Sequence, residues 1–156
     1  MSFEDYSGVW VFIEEKEGKI APVSLELLGA GRTLADKRGV ELAGIIIGEN
    51  VTELSDTVFE YGADTVYVYD QPIFQLYRTE SFMKALLHCS EKYKPEIILY
   101  GATSTGKDLA SAVATDLPTG LTADTTELDV EEDTGLLLAS RPAFGGNIMA
   151  TILCKK

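Results

Sequence analysis

The sequence predicts a three-layer α/β/α domain on a mostly parallel, Rossmann-like sheet with an antiparallel C-terminal hairpin. Short apolar runs alternate with helix-period segments four times between residues 8 and 117. The runs are apolar at successive positions, which suits strands covered by helices on both faces. After Pro118 the rhythm changes to polar strand-formers and glycine turns, which suits antiparallel pairing near a sheet edge. At 156 residues the whole chain, 1–156, is read as one domain.

The elements follow in order. "GVWVFIEE" (8–15) is aromatic and β-branched and reads as the first strand. "PVSLELLGAGRTLADKRG" (22–39) reads as a helix with Leu27, Leu28, Gly31 and Leu34 on one face and Gly39 as its stop. A strand is expected at 40–48, a short helix at 51–62 and a third strand at 64–70. The helix at 79–95 turns Phe82, Met83, Leu86, Leu87 and Tyr93 inward and is stopped by Pro95. "EIILY" (96–100) is the fourth strand, followed by a helix within 104–117. "LLLASRPAF" and "NIMATILCKK" read as two strands joined around "FGGN" and paired antiparallel at or near the edge.

Composition excludes several classes. No apolar run reaches the roughly 20 residues that span a bilayer, so no membrane association is expected, and "MSFEDYSGVW" has no secretory pattern. Cys89 and Cys154 lack metal-ligand spacing, which suggests a reduced, cytoplasmic protein. Thirteen basic against 25 acidic side chains give a net charge of -12. Nucleic acid is therefore not an expected partner, because phosphate binding needs clustered Lys and Arg. A basic protein partner is compatible with the charge.

"GATSTGKD" (101–108) matches a phosphate-cradling loop, G-x-x-x-x-G-K-[ST], except that Asp108 stands where a Mg²⁺-ligating hydroxyl belongs. Asp108 is expected in the first turn of the following helix, where the dipole favours an acid. Neither ATP hydrolysis nor Mg²⁺-dependent ATP affinity is expected. "VYVYD" resembles the strand that supplies a second Mg²⁺ ligand, but it lies upstream of the loop. "GAGRTL" (29–34) lacks the third glycine of a dinucleotide fingerprint and sits inside a helix. His88 and Cys89 have no catalytic or metal-ligating partner at useful spacing, and the acids at 127–133 lack a calcium-loop pattern. No catalytic and no metal-binding residue is expected. Arg141 is a charge within an apolar strand pair. Its residue context allows either a solvent-facing Arg or one aimed at an anion or an electron-rich ring.

"GATSTGKDLASAVATDLPTGLTADTTELDV" followed by "SRPAFGGNIMATI" resembles the N-terminal domain of the electron transfer flavoprotein alpha subunit. The opening "VWVFIEEKEGKIAPVSLELLGAGRTLAD" is similar to that family too. "RPAFGGNIMATI" is most similar to the bifurcating and nitrogen-fixation-associated members. The resemblance implies a heterodimer with a beta subunit, serving a dehydrogenase partner and carrying FAD. One FAD would sit on a separate C-terminal domain, a second mainly on the beta subunit, with Arg141 near that flavin's reactive nitrogen. Arg141, Pro142, Ala143 and Phe144 are the expected cofactor-contacting residues. The chain ends at Lys156, before such a C-terminal domain, so it reads as an isolated domain, a trimmed form or a stand-alone relative. Alone it is expected to be colourless and not catalytic. Thr125 stands where many relatives carry Cys, and "KDLASAVA" lacks a common Arg. The expected role is to scaffold and tune flavin electron transfer between dehydrogenases and acceptors, with flavin-based bifurcation implied by the resemblance to bifurcating members. The alternatives are a nucleotide-binding regulatory module of the universal-stress-protein type and a purely structural domain left over from a larger enzyme.

Overall fold

A computed structural model describes residues 7–101, 103–116, 120–125, 127–130, 137–140 and 148–152, with side chains described for 7–101 and 103–113. Strand β1 (Val9–Ile13) is buried at every position and forms the middle of the sheet. It pairs in parallel with β4 (Leu42–Gly48) on one side and β6 (Ile97–Gly101) on the other. β5 (Thr65–Asp70) extends the parallel set beyond β4, with Ala43 opposite Thr65 and Gly48 opposite Asp70. The full order is β5-β4-β1-β6-β10-β7, where β7 is Gly120–Thr125 and β10 is Ile148–Ile152.

Alternation along β1 divides the core. Val9, Val11 and Ile13 pack with Leu27, Leu28 and Leu34 of α1 (Pro22–Arg38) and with Val58 of α2 (Leu54–Glu60). Trp10 and Phe12 face the other way, toward Phe82, Leu86 and Cys89 of α3 (Thr79–Tyr93) and Leu109 and Val113 of α4 (Ser104–Asp116). This gives the expected three layers. Each fully buried Val, Leu, Ile or Phe contributes about 1.5–3 kcal/mol relative to exposure, so β1 anchors both half-cores.

Helix ends follow local chemistry. Pro22 opens α1, where its missing N–H costs nothing, and Gly39 closes it in the left-handed conformation at φ 69°. The expected inward face of α1 is buried throughout. In α3, Phe82 and Leu86 are buried and Met83 and Leu87 pack at the margin, but Tyr93 stays 46% exposed. Its ring nevertheless lies 4.4 Å from that of Tyr67 on β5, so it covers the edge of the sheet instead of entering the core.

Two features differ from expectation. A small hairpin, β2 (Glu15–Lys16) with β3 (Lys19–Ile20), follows β1. Its two turn residues, Glu17 (φ 54°) and Gly18 (φ 79°), both take positive φ, the requirement of a two-residue type I′ connection. The C-terminal strands are antiparallel as expected, but with other partners. β9 (Leu137–Ser140) pairs with β8 (Glu127–Val130), while β10 lies between β6 and β7. A glycine turn suggests pairing of its own flanks, but β10 meets a free ladder on each side in the main sheet. β9 joins the strand preceding it instead. "FGGN" itself lies outside the described residues.

At the amino end of the sheet, Arg38 from the last turn of α1 forms a two-bond pair with Glu96 at the start of β6. Nε donates to Oε1 at 3.1 Å and a terminal nitrogen donates to Oε2. The Glu96 side chain is only 8% exposed, so removing its partner strands a buried carboxylate. Arg38→Ala is expected to lower unfolding free energy by about 3 kcal/mol. Arg38→Met combined with Glu96→Leu should restore most of it. Denaturant titration of the three proteins checks this, and a single-variant cost below about 1 kcal/mol would place the pair among surface bridges.

Candidate functional site

The chain runs from β1 outward to β4 and β5, then returns to lay β6 on the opposite side of β1. Sites of open α/β sheets form outside the carboxyl ends of the strands where the order reverses. Here that point is bounded by Glu14, just past β1, and by Gly101 at the end of β6 and Thr103 ahead of α4. Glu14 is fixed by its backbone: its N–H donates to Ser24 Oγ at 2.8 Å, and its carbonyl accepts from Ala21 N–H at 2.8 Å.

Thr103 caps α4. Its Oγ1 accepts from the Gly106 amide at 3.0 Å, and its carbonyl accepts from the Lys107 amide at 2.8 Å. The same hydroxyl donates to the Glu14 carboxylate, whose oxygens lie 2.9 and 2.8 Å away. Gly106 sits so close to β6 that a Cβ on it would stand 1.9 Å from the Gly101 carbonyl oxygen and 3.2 Å from Glu14 Oε2. Burial raises the Glu14 pKa above the usual carboxyl value, and the Thr103 bond opposes that rise. A carboxylate thus stands beside the helix N-terminus, where a phosphate would sit in a nucleotide site.

Asp108 has a different role from the one expected. α4 begins at Ser104, which puts Asp108 in the second turn rather than the first. Its carboxylate accepts from Tyr77 Oη at 2.7 Å and from the Thr79 hydroxyl, and these bonds hold its pKa below the usual carboxyl range. It therefore ties α4 to the start of α3. Asp70, which ends "VYVYD", is also committed. It accepts from the amides of Asn50, Val51 and Thr52 at 2.8, 3.0 and 3.1 Å and from the Thr52 hydroxyl at 2.6 Å. Those bonds lower its pKa and pin the loop between β4 and α2.

A crevice of about 420 Å³ opens at the switch point, lined by Phe12, Ile47, Phe74, Gln75, Tyr77 and the carboxylates of Glu14, Glu15 and Glu17. It does not fit the diphosphate of a dinucleotide such as FAD. Three carboxylates against one amine, Lys16, repel phosphate, and at the helix terminus the Gly106 amide is already bonded to Thr103. Elsewhere, Cys89 is buried and its thiol is pushed up to about 11, first by burial, so it is a poor nucleophile. His88 is exposed and its Nδ1 lies 2.7 Å from Tyr69 Oη. Among the described residues, no three His, Cys, Asp or Glu side chains converge as metal ligands, and no helix is long and apolar enough to cross a membrane.

Arg141, Pro142, Ala143 and Phe144 lie outside the described residues. Their nearest described neighbours are Ser140, opposite Glu127, and Ile148, in register with Gly101 at the carboxyl end of β6. Sequence reasoning singled out the glycine turn but missed Glu14, whose role depends on Thr103, 89 positions away. The signal available was a charged residue directly after an all-apolar strand.

Fold and site together define a nucleotide-binding-like α/β domain whose phosphate position is filled by its own carboxylate. Residues 9–156 match the electron transfer flavoprotein domain, and the chain belongs to that family. It is 53% identical over 150 residues to the electron transfer flavoprotein subunit alpha of Thermoanaerobacterium thermosaccharolyticum, covering 96% of this chain and 45% of that protein. It is 52% identical over 158 residues to Protein FixB of Rhizobium meliloti, covering 99% and 44%. It is also 42% identical over 178 residues to the acryloyl-CoA reductase electron transfer subunit beta of Anaerotignum propionicum, covering 99% and 47%. The chain spans just under half the length of these relatives.

Two outcomes follow from this geometry. Gly106→Ala should destabilise the domain by about 2–3 kcal/mol, because overpacking against a backbone carbonyl outweighs the gain of roughly 1 kcal/mol in helix propensity. Thermal unfolding would show it, and an alanine variant as stable as wild type would contradict the close approach. Glu14 carries the opposite pH sign from Asp70 and Asp108. A raised folded pKa contributes stability below the unfolded carboxyl value that is lost as pH rises through the folded one. Glu14→Gln should therefore be at least as stable as wild type at pH 7, with its advantage shrinking toward pH 4. Melting curves across that range, compared pairwise, isolate the effect; an advantage that grows on acidification would reverse the sign.

Proposed function

We propose that this chain, as one domain over 1–156, is the N-terminal scaffold of an electron transfer flavoprotein alpha subunit and tunes a flavin held mainly by a beta subunit. The carrying observation is the family match over 9–156, in a fold whose switch point presents the Glu14 carboxylate held by Thr103. A domain that repels phosphate serves FAD chemistry by positioning and electrostatics. On this reading the chain alone holds no FAD and is not catalytic. It works in the cytoplasm with a beta subunit and a dehydrogenase-class partner; the relative named for an acryloyl-CoA reductase supports an oxidoreductase in that place. The resemblance of residues 141–152 to bifurcating members extends the proposal to flavin-based bifurcation. The relatives named above give no support to a nucleotide-binding regulatory module.

Arg141, Pro142, Ala143 and Phe144 are proposed as the contacts to the partner-held flavin. FAD supplies reversible electron storage when bound, and an anionic reduced ring is favoured by a nearby cation. Arg141 keeps its charge at any working pH. A unit charge at about 4 Å in an effective dielectric near 20 interacts by roughly 4 kcal/mol before desolvation. Even a quarter of that shifts a potential by tens of millivolts. The test reconstitutes the chain with a beta subunit and FAD and titrates the bound flavin. The chain alone should be colourless, Arg141→Ala should lower the midpoint potential, and Arg141→Lys should recover part of it. Stoichiometric FAD on the isolated chain would overturn the partner-held reading, and wild-type potentials in both variants would return Arg141 to solvent.

A further inference from the structure

The switch-point crevice rejects phosphate, but it is still a formed cavity. Its volume of about 420 Å³ falls in the range of small-ligand sites. One wall is apolar and aromatic: Phe12, Ile47, Phe74 and Phe82 line it, and each is under 9% exposed. Within the wall, Phe74 meets Phe82 edge to face at 5.5 Å. Phe74 is itself fixed by a short 3₁₀ turn, its amide donating to the Gln71 carbonyl at 3.0 Å. Glu14 lines the same crevice. Thr103 carries a single hydroxyl proton, so the carboxylate keeps most of its acceptor capacity for another donor. The surrounding charge is negative, with Glu15 and Glu17 against Lys16.

We infer that this crevice binds a planar, phosphate-free ligand whose apolar ring carries adjacent N–H donors, such as an aryl amidine or an amino-heterocycle. The ring lies against the Phe74 and Phe82 wall while two N–H groups donate to the Glu14 carboxylate, the charge-assisted two-bond arrangement that planar donors favour. Gln75 offers an amide at the mouth for further polar contact. The same geometry that excludes a nucleotide by its phosphates admits a flat cation or neutral heterocycle. This inference does not rest on the electron-transfer reading, since every residue in it belongs to the described part of this chain.

Benzamidine and benzoate are the paired probes: one ring, with a planar cation or a planar anion attached. Each is titrated into the full chain and followed by amide chemical shifts. Benzamidine should bind saturably and move the amides of Glu14 and Gln75, while benzoate at the same concentrations should not. Glu14→Gln keeps an acceptor for Thr103 but drops the charge, and should weaken benzamidine binding about tenfold or more. Leu76→Lys provides a second variant that spares the core, because Leu76 lines the rim and is 67% exposed. It adds a cation at the mouth and should weaken binding several-fold at low salt. Equal binding of benzoate, unchanged affinity in both variants, shifts confined to other surfaces, or no saturable binding would each overturn the assignment. If Glu14→Gln fails to fold, the probe pair and Leu76→Lys decide it alone.

Discussion

One hydroxyl holds the working end of this molecule together. Thr103 Oγ1 accepts from the Gly106 amide and donates to Glu14, so it caps α4 and ties that helix to the end of β1. β1 and β6 are neighbours in the sheet, but their carboxyl ends diverge into elements on opposite faces. Glu14 leads toward the β2–β3 hairpin and is fastened to the start of α1 through Ser24. Thr103 leads into α4. Joining them forces the glycine turn tight against β6, which is why Gly106 has no room for a side chain. The turn that imitates a phosphate loop in sequence is therefore satisfied from within.

That principle extends across the chain. With 25 acidic side chains, the protein uses carboxylates as internal fasteners. Asp70 pins the loop after β4, Asp108 joins α4 to α3, and Glu96 receives Arg38 at the opposite end of the sheet. Asp64 accepts from the Leu42 amide and from Arg32. Asp70 and Asp108 occupy the two sequence positions that most suggested Mg²⁺ ligation. Their lowered pKa values come from hydrogen bonds that hold them ionised, so each stabilises the fold above the unfolded carboxyl pKa and loses that contribution in acid. A cation at either position would compete with bonds that build the local structure.

Much of the fold was legible because its signals are local. The all-apolar run at 9–13, the spacing of Leu27, Leu28, Gly31 and Leu34, and the stop at Gly39 carry their own structural consequence within a few residues. The pairing of β8 with β9 and the insertion of β10 between β6 and β7 were not legible, because partner choice depends on which ladders the rest of the sheet leaves open. Tyr93 was misjudged for a related reason: helical spacing gives its direction, but not that β5 is the edge strand there. The candidate site was half legible. The glycine turn announces itself, whereas Glu14 acquires its meaning only through a partner distant in sequence.

The division of labour in the proposed complex follows from the same constraint. A doubly wound sheet has one preferred place for a bound nucleotide, the mouth at which its strand order reverses. Here that mouth is lined with carboxylates, and the Gly106 amide of its helix terminus is bonded to the Thr103 hydroxyl that joins β1 to α4, so a phosphate taking that amide would disturb this link. Repulsion and lost stability oppose phosphate binding together. β10 offers another route to the same end of the sheet. It runs antiparallel to β6 and begins at Ile148, opposite Gly101 at the carboxyl end of β6. In the proposed function, Arg141 supplies the positive charge presented to the partner-held flavin. On the proposed function, a domain built this way acts on a flavin through what it presents to a partner, and its carboxylate-lined crevice is left to the ligand inferred above.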